Sequence, residues 1–328
     1  MPVLVTGAAG FIGSHVCLHL LSRGEAVVGV DNMNDYYDPA LKNGRLARLR
    51  EHRHFSFHQI DIAEQDALTN TLAGLDVRKI VHLAAQAGVR YSLDNPRAYV
   101  RSNIVGHLEV LEFCRAQPAF EHLVYASSSS VYGGNSKVPF GETDQVDRPV
   151  SLYAATKKAD ELISHTYAHL FGVPQTGLRF FTVYGPWGRP DMAYWIFTKA
   201  MLEGKPIRVF NNGDMWRDFT YVDDVVEAVV AVLDRPPLGD IPPSRLYNVG
   251  NNQPARLGDF IDILERLLGV KANRRFEPMQ PGDVERTYAD MTALERDFGF
   301  RPRTSLEVGL GKFVGWYRSE WAGSTTGE

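Results

Sequence analysis

The amino-acid sequence predicts an α/β protein whose core is a doubly wound parallel sheet. From the start of the chain to about residue 180, short runs rich in Val and Ile alternate with stretches of helical periodicity. A glycine-rich turn at residues 7–13 joins the first such run to the first helical stretch. Beyond residue 180, glycine and proline become frequent and the elements become shorter. We therefore predict a sheet domain over residues 1–180 and a smaller α/β substrate-binding lobe over residues 181–328, with the chain able to cross between them.

The composition is that of an ordinary globular protein with small partners. The chain has 328 residues, 44% hydrophobic and 23% charged, enough for one large domain or two modest ones. Its formal net charge of −4 and its interspersed charges argue against a nucleic-acid partner. No apolar run approaches the roughly 20 residues that span a bilayer, and the first residues carry no export signal. Cys17 and Cys114 fall in apolar helical patterns, so we predict reduced cysteines in a cytoplasmic protein without a membrane partner.

The predicted elements follow from apolar runs and from residues that end helices. Strands are expected where mostly apolar runs suit burial on both faces, at residues 3–6, 26–31, 55–60, 80–84, 122–127 and 175–179. The first helix, 11–22, has Ile12, Val16 and Leu20 at helical spacings and stops before Gly24. Further helices are predicted at 99–115, from 153 towards 171, and at 194–203, 222–233, 257–268 and 305–317, with a frayed tail at 322–328.

The turn between the first strand and the first helix has the features of a dinucleotide-binding site. Gly7, Gly10 and Gly13 permit a tight turn, close approach of the backbone to a pyrophosphate, and close helix–sheet packing. A glycine triplet with this GxxGxxG spacing also fits a purely structural turn. The second strand ends at Asp31, where a carboxylate accepts hydrogen bonds from ribose hydroxyls and repels a 2′-phosphate. We therefore predict a Rossmann-type domain that binds NAD rather than NADP.

A second signal is the pair Tyr153 and Lys157, which opens a helical segment. Residues four apart lie on one helix face, so the lysine ammonium can stabilise the phenolate form of the tyrosine. Such a tyrosine is a competent general base near neutral pH. Tyr-x-x-x-Lys is common on solvated helices, but the preceding dinucleotide signal favours a catalytic function here.

These residues resemble the extended short-chain dehydrogenase/reductase family over almost the whole chain. Further matches are Asp61-Ile62, His82-Leu83-Ala84-Ala85, the serine-rich run 127–133 that ends in Val-Tyr-Gly, and Trp216-Arg217-Asp218-Phe219. The resemblance implies a catalytic set of Ser128, Tyr153 and Lys157 and no metal. The implied NAD site comprises Gly7, Gly10, Phe11, Ile12, Gly13, Asp31, Asn32, Asp61, Ile62, Leu83, Ala84 and Ala85, together with Tyr153 and Lys157.

The residues after Ser128 distinguish chemistries within the family. Sugar 4,6-dehydratases look like Thr-Asp-Glu at this point, and nucleotide-sugar decarboxylases carry a Glu before Val-Tyr-Gly, whereas this chain has Ser129 and Ser130. UDP-galactose 4-epimerases carry an Asn where Thr182 stands. The segments 90–92, 182–192 and 279–283 are instead similar to the pattern of UDP-glucuronate 4-epimerases. The resemblance therefore implies a UDP-sugar substrate that carries a carboxylate.

In that interpretation Ser129, Ser130, Thr182 and Arg189 surround the sugar carboxylate, although Arg189 also fits a solvated loop. Arg217 neutralises the diphosphate and Phe210 packs on the uracil. The complete implied substrate site is Arg90, Ser128, Ser129, Ser130, Thr182, Arg189, Phe210, Arg217, Gln280 and Asp283. Galactose epimerases resemble Arg-x-Gly-Asp where this chain has Gln280-Pro281-Gly282-Asp283, so one diphosphate arginine is missing, and whether Arg286 replaces it stays open.

The implied reaction is 4-epimerisation of UDP-glucuronate to UDP-galacturonate through a transient 4-keto sugar, with NAD regenerated. Two alternatives remain open: an epimerase of neutral UDP-hexoses, such as UDP-glucose and UDP-galactose, and a non-catalytic protein that senses the dinucleotide. A sensor needs none of Ser128, Tyr153 and Lys157, which disfavours the second alternative. Members of the family commonly dimerise through two long helices, here 99–115 and 151–171, so a homodimer is expected.

Overall fold

The fold is built on a seven-stranded parallel sheet with helices on both faces, which confirms the predicted class. The computed structural model describes residues 1–279 and 284–322. The described strands are β1 (Val3–Thr6), β2 (Val27–Asp31), β3 (Phe55–Gln59), β4 (Lys79–His82), β5 (His122–Ser128), β6 (Gln175–Phe180), β7 (Thr182–Tyr184), β8 (Ile207–Phe210), β9 (Trp216–Arg217), β10 (Phe219–Tyr221), β11 (Ser244–Val249), β12 (Ala255–Arg256) and β13 (Arg274–Glu277). The large sheet has the order β3-β2-β1-β4-β5-β6-β11.

The helices of the described residues cover both faces of this sheet and build most of the second half. They are α1 (Phe11–Ser22), α2 (Pro39–Arg50), α3 (Ala67–Thr71), α4 (Tyr91–Asp94), α5 (Pro96–Tyr99), α6 (Gly106–Ala116), α7 (Leu152–Phe171), α8 (Ala193–Leu202), α9 (Val222–Leu233), α10 (Leu257–Leu268), α11 (Thr292–Phe298) and α12 (Leu306–Trp316). Within the described ranges, none is long and apolar enough to cross a bilayer.

The core forms on the two faces of the sheet because strand residues alternate between them. Val3 and Val5 point into the layer that contains α1 and α9, while Leu4 belongs to the opposite cluster with Val110 and Leu111 of α6. All four residues of β1 are buried, as expected for a central parallel strand. Cys17 and Cys114 are buried and free in these two layers, in agreement with the reduced state predicted for them.

The predicted helix 99–115 is helical along its whole length, but it is not one continuous α-helix. The segment consists of α5, a π-helical stretch Val100–Val105, and α6. Asn103 lies in the π-helical stretch and is buried, with hydrogen bonds that cross to two other elements. The wider π turn therefore contributes to the contacts between this segment and its neighbours. The apolar periodicity of a sequence does not distinguish such a turn from an α-helix.

The second half adds small strand pairs and an aromatic cluster to the large sheet. The pairs are β7 with β10, β9 with β12, and β8 with β13. Rings of Trp195, Phe313, Trp316 and Tyr317 pack between α8 and α12. Strand β11 returns to the large sheet beside β6, so the chain crosses between the two halves. The division at residue 180 stays a prediction, and residues 323–328 of the predicted frayed tail lie outside the described residues.

A buried ion pair ties α7 to the sheet. Arg179 of β6 donates to both carboxylate oxygens of Glu161 at 2.8 and 2.9 Å, and Ser127 donates to the same carboxylate at 2.7 Å. Burial opposes ionisation of Glu161, but the Arg179 guanidinium outweighs it and lowers the pKa of that carboxyl. This geometry holds the helix that carries Tyr153 and Lys157 in a fixed position over the carboxyl end of β5.

Candidate active site

A cleft opens at the carboxyl ends of the strands, next to β1 and β4. The chain continues from β1 to β2 on one side of this point and from β4 to β5 on the other. In doubly wound sheets this switch point is where ligands bind. Every residue of the predicted NAD site lines this cleft, as do Ser128 and Arg189. The cleft also contains residues that the sequence did not single out for binding, among them Gln86, Ser102, Phe180 and Met192.

The glycine-rich loop has space for backbone only. Gly7 has φ of +72°, and a Cβ added there would lie 2.7 Å from the Ala84 backbone nitrogen. A Cβ on Gly13 would lie 2.0 Å from the Gly7 carbonyl oxygen. Gly10 caps the amino end of α1, whose unpaired N–H groups face the cleft. Because the loop has no side chains at these positions, a pyrophosphate can contact its backbone directly.

Asp31 ends β2 at the predicted adenosine side of the cleft. Its carboxylate accepts hydrogen bonds from the Ala9 and Met33 backbone N–H groups at 3.2 and 2.9 Å. The Lys42 ammonium lies 3.4 Å from Asp31 Oδ1 and is also buried. The carboxylate keeps acceptor capacity for ribose hydroxyls, and Tyr36 and Tyr37 line the cleft beside it. The residues therefore fit an NAD whose adenosine ribose carries free hydroxyls.

The segment after β4 is held by side chains buried beneath it. Thr6 Oγ1 accepts from the Ala84 backbone N–H at 3.2 Å and lies 2.7 Å from His82 Nδ1. Asn103 accepts from the Gln86 N–H at 2.8 Å and donates to Thr156 of α7 at 2.9 Å. Asn103 thus connects the cofactor segment to the helix of the candidate base through direct hydrogen bonds.

Tyr153 and Lys157 occupy the first turns of α7, which Ser151 caps by accepting from the Ala154 N–H at 3.1 Å. The Lys157 ammonium donates to the Ala126 carbonyl and to the Asp160 carboxylate, both at 3.0 Å. Tyr153 packs edge-on against Tyr99, with ring centroids 6.0 Å apart. All three members of the predicted catalytic set line the cleft.

Arg189 lines the cleft and is ion-paired within its own loop. It donates to both carboxylate oxygens of Asp191, at 3.0 and 2.5 Å, and the Tyr36 hydroxyl donates to the same carboxylate at 3.1 Å. Burial opposes ionisation of Asp191, but the guanidinium outweighs it and lowers the pKa of that carboxyl. Arg189 and Tyr153 both line the cleft. A cation is therefore held in the same cleft as the candidate base.

Arg45 is a fully buried residue that sequence reasoning missed. Its guanidinium donates to the Trp187 and Gly188 carbonyls and, at 3.0 Å, to the Ala9 carbonyl in the glycine-rich loop. It thereby joins the predicted phosphate loop to the segment that carries Arg189. The sequence did not distinguish Arg45 from Arg48 and Arg50, the two other arginines of the same polar helix.

The predicted substrate residues are only partly assembled around the cleft. The Arg90 guanidinium stacks over the Phe210 ring at 5.3 Å, so these two lie together. Arg217 donates to the Trp216 and Glu285 carbonyls, and Arg286 stacks over the Trp216 ring at 5.4 Å. Of the remaining predicted residues, Ser129, Ser130 and Thr182 are sequence neighbours of residues that line the cleft, but they do not line it themselves. Gln280 and Asp283 lie outside the described residues.

Comparison with known proteins agrees with this geometry. Residues 3–250 match the NAD dependent epimerase/dehydratase family. UDP-glucuronate 4-epimerase 1 of Arabidopsis thaliana is 49% identical over 99% of this chain and 78% of its own length. The Bacillus cereus UDP-glucuronic acid 4-epimerase, solved with UDP-glucuronic acid and NAD, is 36% identical with a TM-score of 0.90, over 98% of this chain and 100% of its own.

A neutral-sugar enzyme is also similar in structure. The UDP-glucose 4-epimerase of Thermotoga maritima, solved with UDP-glucose, is 30% identical with a TM-score of 0.87 and covers 97% of this chain and 99% of its own. The fold is thus shared by relatives that act on acidic and on neutral sugars, so the fold alone does not select the substrate. The family match over most of the chain, with the cleft and its glycine-rich loop, shows that this chain belongs to the NAD dependent epimerase/dehydratase family.

Proposed function

We propose that the protein is a UDP-glucuronate 4-epimerase that interconverts UDP-glucuronate and UDP-galacturonate with bound NAD. The observation that carries the proposal is the position of Arg189 in the same cleft as Tyr153 and Lys157. A guanidinium beside the reacting centre suits a sugar whose C6 is a carboxylate. The 49% identity to a plant UDP-glucuronate 4-epimerase over nearly the whole chain supports the same substrate.

NAD is the cofactor; the glycine-rich loop would hold its pyrophosphate and Asp31 would hold its adenosine ribose. Asp61, Ile62 and Leu83 to Ala85 also line the cleft, and Asp61 and Ile62 would border the adenine. When bound, NAD supplies an acceptor and later a donor of hydride at sugar C4. Lys157 remains available to the nicotinamide ribose through its third N–H, because two are already bonded within the protein.

The proton step belongs to Tyr153 and Ser128. Tyr153, as phenolate, takes the proton of the sugar 4-hydroxyl, directly or through the Ser128 hydroxyl, and returns it when the alcohol is re-formed. The Ser128 hydroxyl oxygen already accepts from the Ser130 N–H at 3.1 Å, which fixes the side chain at the end of β5. No proton or electron is gained or lost over the full reaction.

The carboxylate site protects the reaction as well as selecting the substrate. The 4-keto sugar must turn over about its diphosphate linkage so that its other face meets the hydride donor. This intermediate is a β-keto acid, which loses carbon dioxide when its C5–C6 bond aligns with the carbonyl π system. A carboxylate held by Arg189 stays charged and out of that alignment, with Ser129, Ser130 and Thr182 proposed as further donors.

The dinucleotide preference provides a first prediction. Asp31→Asn is expected to lower the preference for NAD over NADP by about tenfold or more, because it removes a charged acceptor and leaves the Lys42 ammonium free for a 2′-phosphate. The measurement is the ratio of NAD to NADP retained after incubation with both. Asp35→Asn, an exposed carboxylate in the same loop, is the control and should leave the ratio unchanged. An unchanged ratio in Asp31→Asn would contradict the role of Asp31.

The decisive test of function compares substrates. Purified protein is incubated with UDP-glucuronate, UDP-glucose or UDP-galactose, and the anomeric protons are followed by NMR. The proposal expects UDP-galacturonate with negligible UDP-pentose from the first substrate. Turnover of the neutral sugars alone would favour the alternative that the Thermotoga relative represents. Retention of NAD with no turnover of any sugar would favour a dinucleotide sensor.

A homodimer is part of the proposal. Apolar side chains are exposed along α6, α7 and the π-helical stretch before them, and the set comprises Val100, Val105, Leu108, Leu162, Leu170 and Phe171. A patch of this kind on two adjacent helices is typical of a protein interface. The predicted cytoplasmic location also stays a prediction, supported by two free buried cysteines.

Leu162→Glu tests the dimer. Leu162 is 57% exposed in the single chain, so a charge there is expected to dissociate the dimer while leaving each chain folded. Sedimentation should report a monomer for this variant and a dimer for the parent. Leu238→Glu, 74% exposed in the loop after α9 and on neither helix of the patch, is the matched control and should remain dimeric. A parent chain that sediments as a monomer would contradict the proposal.

A further inference from the structure

Lys157 lies next to a buried carboxylate. The function proposed for Lys157, binding of the nicotinamide ribose, does not require that carboxylate. Asp160, one helical turn further along α7, lies 3.0 Å from the Lys157 ammonium, and both side chains are at most 4% exposed. The second carboxylate oxygen, Oδ1, is buried and has no hydrogen-bond partner in the described part of the chain. A residue that served only the fold would use both oxygens, because a buried acceptor without a partner costs stability.

The other titratable groups around this pair come from several elements. They are His82 of β4, His107 of α6, Tyr125 of β5, and Glu161 of α7 with its partner Arg179 of β6. Burial lowers the pKa of His82 to about 3 and that of His107 well below its ordinary value, so both imidazoles are uncharged. Burial likewise raises the pKa of Tyr125, and its phenol stays neutral. Glu161 is compensated by Arg179 and Lys158.

Asp160 is therefore the carboxylate that sets the local field behind Lys157. Burial raises the pKa of its carboxyl to about 6, while the Lys157 ammonium 3.0 Å away opposes the rise and favours the ionised carboxylate. An anion at this point holds the ammonium against the end of β5, and it also reduces the positive field that Lys157 exerts on Tyr153.

We propose that Asp160 is a positioning residue that holds Lys157 as a charged, correctly placed ammonium and thereby sets the pH range over which Tyr153 works. The expected change in the pH dependence of kcat rests on the proposed function. The expected change in the titration of Tyr153 does not, because it is measured without any sugar. Loss of the negative charge makes both neighbours easier to deprotonate. In a plot of kcat against pH, both the acidic limb and the basic limb should therefore move to lower pH.

The size of the shift follows from the helix geometry. Residues seven apart on a helix are separated by roughly 10 Å along the axis. One unit charge at that distance, at an effective dielectric constant of about 20, changes an ionisation equilibrium by about one pH unit. A purely structural residue would lower the maximal rate without moving the profile.

The experiment uses the NAD-bound protein and two variants. Asp160→Asn keeps an acceptor for Lys157 but removes the charge, whereas Asp160→Ala removes both. The tyrosinate absorbance of each protein is titrated against that of the same protein carrying Tyr153→Phe, which isolates the ionisation of Tyr153 without substrate. The pH dependence of kcat with UDP-glucuronate is measured in parallel, and circular dichroism checks the fold. Glu109→Gln, which neutralises a half-buried carboxylate on α6 bonded to the Asp66 backbone N–H, is the control.

The expected result is a Tyr153 titration about one pH unit lower in Asp160→Asn and in Asp160→Ala, with the kcat profile of Asp160→Asn displaced in the same direction. Glu109→Gln should titrate as the parent does. A titration of Asp160→Asn that coincides with the parent overturns the inference, whatever the result for Asp160→Ala. Absence of turnover in the parent, with the titration shifted as expected, would count against the proposed substrate and leave the role of Asp160 intact.

Discussion

Tyr153→Phe is expected to lower the rate of epimerisation by roughly a thousandfold or more while NAD stays bound. Phenylalanine keeps the ring that packs against Tyr99 but has no hydroxyl to take the sugar proton. General base catalysis by a positioned side chain contributes about 10²–10⁴ in rate. The measurement is kcat for UDP-glucuronate by NMR, with NAD content determined by its absorbance after denaturation.

Tyr167→Phe provides the matched control for this variant. Tyr167 lies on the same helix, and its hydroxyl bonds to Glu112 at the surface, away from the cleft. The same chemical change there should leave kcat within about twofold of the parent. Epimerisation that persists in Tyr153→Phe at more than a tenth of the parental rate would assign the proton step to another group.

Arg189→Ala is expected to change the product as well as the affinity. A hydrogen bond to a charged group is worth about 1.5–3 kcal/mol, so loss of the guanidinium should raise KM for UDP-glucuronate roughly 10- to 150-fold. The carboxylate of the 4-keto intermediate then rotates freely and loses carbon dioxide. The fraction of UDP-pentose, followed by NMR, should rise from negligible to a substantial share of product.

The structure sharpens this prediction because Arg189 is already paired with Asp191. Removal of the arginine also leaves the Asp191 carboxylate without its cationic partner, so the local charge becomes more negative, which disfavours an anionic sugar. Arg266→Ala, which removes a surface arginine paired with Glu307, is the control and should change neither KM nor product ratio. Weaker binding with an unchanged product ratio would count against the protective function of Arg189.

The residues predicted for the NAD half of the site line one cleft, and local backbone requirements explain why the sequence brings them together. Gly7 and Gly13 are glycines because a Cβ at either position would collide with backbone atoms. Asp31 stands at the carboxyl end of a strand, and Tyr153 and Lys157 share one helix face by spacing alone. Strand ends, glycine turns and helix faces are short-range features, so a sequence pattern contains most of the information that determines them.

The sugar half was less predictable, since its residues come from segments far apart in the chain. Arg45 reaches the loop that carries Arg189 across more than a hundred residues, and no periodicity signals such a bond. The π-helical stretch around Asn103 has the same apolar pattern as an α-helix. For the same reason, the placement of Ser129, Ser130 and Thr182 around the carboxylate remains a proposal.

The sequence by itself determined the fold class, and it predicted the residues of the dinucleotide site and the candidate base. Each depends on residue type at fixed local spacing. Only the tertiary structure decided which carboxylates stand beside the two functional cations, Asp160 beside Lys157 and Asp191 beside Arg189. The strength of such a pair depends on distance and on exclusion of water, and both quantities arise only when separate elements pack together.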